Sequence, residues 1–274
     1  MEFFYPCKDS TQSSVSFQNS ILIWPALTLG NVGQLSIDLI LNTFGFKKVG
    51  YIHDEDIVPL AGNDTLTPAG KGVLSTAVEV YQFTNRQNTT ITIVQQRSPI
   101  IAGHINRFAE KLNQWIKQSG FSQLLFLAST NANKRIDTQL FGTQIRYVAS
   151  DAVGDNQFIV DRIEKQCGVP PMERSVVIDG DLIELSDRLT GLGRRLMTLA
   201  TQENSKGIAM VAFILFCSEG DNTQDAIVMS NHVVQYTELT TETSNNNNNT
   251  IDFKIPSSWS LIKDGPSINQ ALYF

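Results

Sequence analysis

Residues 208–217 read IAMVAFILFC, ten strongly apolar residues in succession. Ten residues are half of what a membrane-spanning helix requires and about the length of a buried strand. Such a strand must be covered by other elements, so the rest of the chain is read for what can cover it. The segment behind it, DNTQDAIVMSNHVVQYTELT (221–240), reads as a helix.

The same alternation of apolar run and helix recurs upstream. SILIWPALTLG (20–30) is an apolar run closed by Gly30, and NVGQLSIDLILNTFG follows with Val32, Leu35, Leu39, Ile40 and Phe44 at helical spacing before Gly45. This is strand, tight turn and amphipathic helix. KKVGYIHDEDIVPLAG holds a short strand. TAVEVYQF and TTITIVQQR form a hairpin turned by Asn85–Asn88. IIAGHINRFAEKLNQWIKQSG places Ile101, Ile105, Phe108, Leu112, Trp115 and Ile116 on one helical stripe, and QLLFLAST after Gly120 is a buried strand. Helix, glycine, strand is what a βαβ crossover requires.

TQIRYVAS is a strand or loop, a helix is expected near 156–167, and RSVVIDG is short and β-branched. LIELSDRLTGLGRRLMTLATQEN reads as helices interrupted around Gly191 and Gly193. Five or six strands interleaved with four or five helices predict an α/β fold: a three-layer α/β/α sandwich with a mixed, largely parallel central sheet. Residues 1–274 are read as a single domain. Within it, TTETSNNNNNT (240–250) is expected to be a flexible polar loop, because it has no apolar surface with which to offset its ordering. Trp259, Leu261 and Ile262 are expected to dock on the body, and Gly265-Pro266 punctuates a tail projecting over about 265–274.

Composition narrows the partners. A net charge of −6, from 27 acidic and 21 basic residues, argues against nucleic acid or an anionic membrane as the main partner. The opening MEFFYPCKDS lacks the basic and apolar regions of a signal peptide. Cys7, Cys167 and Cys217 are too far apart for a metal motif or a disulfide framework, which suits a reducing compartment. Asn63, Asn88 and Asn248 head Asn-x-Thr triplets that carry no meaning without secretion.

Local chemistry is sparse. Gly30-Asn31-Val32-Gly33 completes neither a dinucleotide fingerprint nor a phosphate loop, and backbone geometry accounts for its glycines. There is no G-x-S-x-G elbow. His53, His104 and His232 are isolated, and His53 in HDED sits in what reads as an acidic surface turn. Glu219 and Asp221 follow the strongest strand, where α/β active sites tend to lie. Their alternative role is at a helix start, with Ser218 or Asp221 near the cap. Lys47-Lys48 and Arg194-Arg195 read as solvated basic pairs. No catalytic, cofactor-binding or metal residue is assigned.

The last seven residues, INQALYF, remain open to two readings: Leu272, Tyr273 and Phe274 fold back onto the body, or they are held out for a partner. Together GNVGQLSIDLIL (30–41), FSQLLFLAST (121–130), FCSEGDNTQDA (216–226) and KIPSSWSLI, followed by a short tail ending in Ala-Leu-aromatic, resemble the proteasome assembly chaperone 2 family over essentially the whole chain. The resemblance implies a non-enzymatic chaperone of the cytoplasm and nucleus that takes no cofactor. It implies a heterodimer with proteasome assembly chaperone 1, and binding to proteasome α-subunits and 20S assembly intermediates. In fungal members a C-terminal hydrophobic-tyrosine-any residue motif enters a pocket between α-subunits, and Leu272, Tyr273 and Phe274 match it. The Gly30–Leu41 region is a candidate heterodimer surface, though internal packing would explain the same residues. The alternative is a nucleoside-hydrolase or phosphorylase type of enzyme, which predicts a deep polar pocket lined by acids and histidines.

Overall fold

The computed structural model of the chain describes residues 3–7, 15–66, 72–178, 181–185, 188–202, 207–239 and 251–259. In chain order its strands are β1 (Phe4–Pro6), β2 (Ile21–Pro25), β3 (Lys47–Ile52), β4 (Ala61–Asn63), β5 (Leu74–Thr76) and β6 (Val78–Thr84). Then come β7 (Thr90–Gln96), β8 (Gln123–Asn131), β9 (Ile145–Ala149), β10 (Ser175–Ile178), β11 (Asp181–Glu184) and β12 (Met210–Cys217). The helices are α1 (Val32–Phe44), α2 (Ile105–Ser119), α3 (Asp151–Gly154), α4 (Gln157–Asp161), α5 (Gly191–Gln202) and α6 (Thr223–Thr237).

Eight strands form one sheet in the order β1-β3-β6-β7-β2-β8-β12-β9, while β4/β5 and β10/β11 are separate two-stranded ribbons. β7, β2, β8 and β12 run parallel to one another. Antiparallel strands flank them on both sides. The expected three-layer α/β/α sandwich with a mixed sheet is present, but the sheet is less parallel than expected: three of its seven strand pairings are parallel, all in the middle, and four are antiparallel.

Side-chain alternation makes two cores from this one sheet. Val211, Phe213 and Leu215 of β12 join Leu125 and Leu127 of β8 on the face covered by α1 and α6. Ala212, Ile214 and Phe216 join Leu124 and Phe126 on the face covered by α2 and α5. All eight residues of β12 are buried, so no polar alternation is needed. This is why the apolar run at 208–217 is continuous.

Small residues let the helices close in. The Ser36 hydroxyl of α1 donates to the Ala226 carbonyl of α6 at 3.1 Å, and the Ser230 hydroxyl donates back to the Ser36 carbonyl at 3.2 Å. At Gly193, inside α5, an added Cβ would stand 2.7 Å from the Phe126 ring.

Three local expectations change. α2 starts at Ile105, and Ile101 lies before it, its N–H donating to the Asp56 carbonyl at 2.7 Å. Leu182–Glu184 belongs to strand β11 rather than to a helix, because it pairs with β10 in register Val176↔Ile183 and Val177↔Leu182. The strands outnumber the expectation because β1, β4 and β5 have three residues each, too few to show a period. The hairpin turn is as expected: Asn85 Oδ1 accepts from the Thr89 N–H at 2.8 Å, with Asn88 at φ +60°. The tract at 240–250, Leu261, Ile262 and the tail at 265–274 lie outside the described residues. Trp259 is buried in the core beneath α1 and α6, as expected.

The acidic HDED turn is only half solvated: His53 and Glu55 are exposed, while its two aspartates are not. Asp54 is buried, and Asp56 is fully so. Asp56 accepts from Arg107 Nε at 2.9 Å and Lys111 Nζ at 3.1 Å, and pairs with His104 Nδ1 at 2.8 Å. Lys111 also donates to Asp54 at 3.0 Å. The cluster staples the β3–β4 connection to the start of α2. The Arg107 guanidinium, helped by Lys111 and His104, outweighs burial and holds the Asp56 carboxyl well below the usual carboxylate range. Because the folded value is depressed, this contribution is complete above the unfolded value of about 3.9 and is lost as pH falls below it. Asp56→Asn should cost about 1–3 kcal/mol in urea denaturation at pH 7. It should also flatten the acid limb of stability below about pH 4, where the unfolded wild-type carboxylate takes up a proton that the folded one resists. An unchanged acid limb would contradict this assignment.

Candidate interaction surfaces

In an open α/β sheet, ligands bind beyond the carboxyl ends of the parallel strands. Here that position is filled by the chain's own turn. After β2, Thr28 Oγ1 accepts from the Ser129 N–H at 3.0 Å and lies 2.8 Å from Ser129 Oγ. Ser129 Oγ also donates to the Leu29 carbonyl, towards which Cys217 Sγ points at 3.6 Å. Gly30, at φ +65°, then passes so close to Asn222 that a Cβ would fall 2.4 Å from its amide nitrogen. The turn from β2 and the start of α6 thus close on each other over the ends of β8 and β12.

The residue types from which a catalytic site is built are dispersed or engaged. Asp221 Oδ1 accepts from the N–H and hydroxyl of Thr223, at 2.9 and 2.6 Å, an Asx turn at the start of α6. Glu219 is exposed. His104 belongs to the charged staple, and His232 Nδ1 lies 3.0 Å from the Cys167 carbonyl. Burial pushes the Cys167 thiol up to about 11 and raises that of Cys217, so neither is a thiolate at neutral pH. Among the described residues no group of three or more His, Cys, Asp or Glu side chains is arranged to hold a metal ion. The Lys47-Lys48 pair is not wholly solvated either, since Lys48 Nζ bonds the buried Glu79 at 2.7 Å.

The Gly30–Leu41 segment is an internal packing element. Val32, Ile37, Leu39 and Ile40 are fully buried against the chain's own sheet and α6. Its inward polar groups are matched locally: Asp38 accepts from Arg97 and Gln95 of the β7 region at 2.8 and 2.7 Å. Internal packing therefore accounts for most of this segment, with Asn31 exposed and Gln34 and Leu35 half-buried.

Leu272, Tyr273 and Phe274 lie outside the described residues, but the place from which their segment departs is described. Asn42 Nδ2 donates to the Lys254 carbonyl at 2.7 Å, the Lys254 N–H donates to Thr43 Oγ1 at 3.0 Å, and Ser258 Oγ donates to the Thr65 carbonyl at 3.3 Å. These bonds and buried Trp259 tie residues 254–259 to α1 and to the segment after β4. Large apolar side chains are exposed elsewhere, at Phe141, Phe158, Val177 and Leu182 above all. Sequence reading passed over them because an apolar residue in a short strand or loop gives no sign of which way it faces.

The chain matches the PAC2 family over residues 22–272. It is 33% identical over 263 residues to proteasome assembly chaperone 2 of Homo sapiens, covering 94% of this chain and 96% of the relative. It is 32% identical over 246 residues to proteasome assembly chaperone 2 of Nematostella vectensis, covering 86% and 96%. The fold is shared with Pyrococcus furiosus PbaA, an archaeal homolog of proteasome-assembly chaperone, at TM-score 0.58, 12% identity and coverage of 84% and 86%. It is also shared with Pyrococcus furiosus PbaB, an archaeal proteasome activator, at TM-score 0.59, 12% identity and coverage of 88% and 92%.

Gly30→Ala tests the closure over the strand ends. Strain at positive φ and displacement of Asn222 should together cost about 1–3 kcal/mol in urea denaturation. Asn222→Ala in the same chain should recover the steric part and leave the backbone part. Strict additivity of the two substitutions would mean that the two residues do not touch.

Proposed function

Because the chain belongs to the PAC2 family, we propose that it is a non-enzymatic chaperone of 20S proteasome assembly. In this reading it pairs with proteasome assembly chaperone 1, and the pair binds the proteasome α-ring and its assembly intermediates. Similarity to assembly chaperones along nearly the full length of both chains is the observation that carries the reading. The self-filled strand ends favour it over a nucleoside-hydrolase or phosphorylase type of enzyme, which needs an open polar crevice there.

Contact with the ring is assigned to Leu272, Tyr273 and Phe274, which enter a pocket between neighbouring α-subunits. Fifteen residues follow Trp259, enough to reach about 50 Å from that anchored point when fully extended. Leu272 and Tyr273 bury apolar area, and the Tyr hydroxyl finds a polar partner at the pocket rim. The protein acts in the cytoplasm and nucleus, with neither nucleic acid nor membrane as partner.

Deleting residues 272–274 should weaken binding to α-rings or 20S particles by about tenfold or more while the complex with assembly chaperone 1 persists. Surface plasmon resonance against immobilised particles, alongside size-exclusion chromatography of the heterodimer, reads both. Unaltered particle binding would remove the tail from the mechanism.

A further inference from the structure

Among the four strands outside the eight-stranded sheet are β10 and β11. β10 and β11 pair with each other in four registered positions, and one further bond, the Leu185 N–H to the Arg174 carbonyl at 2.8 Å, extends the ladder. A lone two-stranded ribbon is at best marginally stable in water without a surface to pack on. This one packs little: all four residues of β11 are exposed. Val177 and Leu182 stand opposite each other on one face, 65% and 69% exposed, and Ile183 on the other face is 43% exposed. β-branched and aliphatic pairs of this kind suit a covered ribbon rather than a solvated one.

The ribbon's foot is held firmly. Glu173 accepts from Arg146 Nε at 3.1 Å and from the Gln139 amide, and Arg188, beyond β11, donates to the Lys134 carbonyl at 3.0 Å. The loop held by those contacts carries Leu140 and Phe141, the latter 84% exposed. Apolar side chains thus cluster on one anchored unit beyond the β9 edge, which is where an interaction surface is expected. Among the described residues of the two strands, Asp181 and Glu184 are carboxylates and none is basic, the nearest cation being Arg174 at the foot.

We propose that the β10–β11 ribbon, with Leu140 and Phe141 beside its foot, is the surface that receives assembly chaperone 1, which meets it with an apolar patch rimmed by Lys or Arg. This assignment rests on the heterodimer reading above. Charge sets the rim chemistry, and placement sets the occupant. Residues 254–259, from which the ring-binding tail departs, are tied to α1, on the α1/α6 side of the sheet. The ribbon is entered from Met172 and left towards Leu189, both in the core on the α2/α5 side. A partner seated at that anchored root leaves the ribbon free for a second chain.

The test titrates the full-length chain with recombinant assembly chaperone 1. Val177→Asp/Leu182→Asp should weaken the heterodimer about 30-fold or more with an unchanged thermal midpoint, since both side chains are exposed. Asp181→Lys/Glu184→Lys should slow association about tenfold and flatten its salt dependence. Leu74→Asp, an exposed apolar site on the separate β5 ribbon, should leave heterodimer affinity as in wild type. If Val177→Asp/Leu182→Asp is folded and binds the sister chain normally, the assignment is overturned. It is equally overturned if that variant loses only self-association in sedimentation, or only α-ring binding. A wild-type chain that fails to bind assembly chaperone 1 overturns instead the heterodimer reading beneath it.

Discussion

β8 and β12 lie side by side in parallel over eight registered pairs, from Leu124 opposite Met210 to Asn131 opposite Cys217. Nearly every residue of both strands is buried, so this pairing is the plane from which both cores are built. A shift of one residue would exchange the faces of Phe126 and Leu127, or of Phe213 and Ile214, and leave both helix layers facing the wrong side chains. The α1/α6 layer with its close serine contacts, and the α2/α5 layer with Gly193 against Phe126, both follow from that register.

The same register decides what happens at the strand ends. With β2 parallel to β8, Thr28 and Ser129 come to the same level, and the turn carrying Leu29 and Gly30 lies across the site where an α/β enzyme would hold substrate. Asn222 closes it from α6. Few reactive side chains remain unengaged among the described residues, and the distinctive chemistry shifts to what the outside of the fold presents. Apolar ribbon residues and anchored segment ends belong to a protein that works by binding other proteins.

Some of this was legible from residue order. The helix at Val32–Phe44, the turn at Asn85–Asn88 and the double-faced strand at 210–217 are local events, set by spacing and turn chemistry within a few residues. The buried charge of HDED was not legible. Four polar residues in a row look solvated until α2, some fifty residues later, brings Arg107 and Lys111 over Asp54 and Asp56. Likewise LIEL carries enough apolar residues for either a helix or a strand, and pairing with SVVI chooses.

By itself, the sequence determined the class of the fold and the family, because apolar periodicity and distinctive short segments are properties of neighbouring residues. It also determined that no local motif for cofactor or metal chemistry is present. Tertiary structure alone decided that most of GNVGQLSIDLIL packs inside the fold, and that the turn after β2 lies over the ends of β8 and β12. It alone decided which apolar residues remain outside. Burial is a relation between segments far apart in the chain: Asn222 covers Gly30 only because parallel β2, β8 and β12 bring their ends to one place.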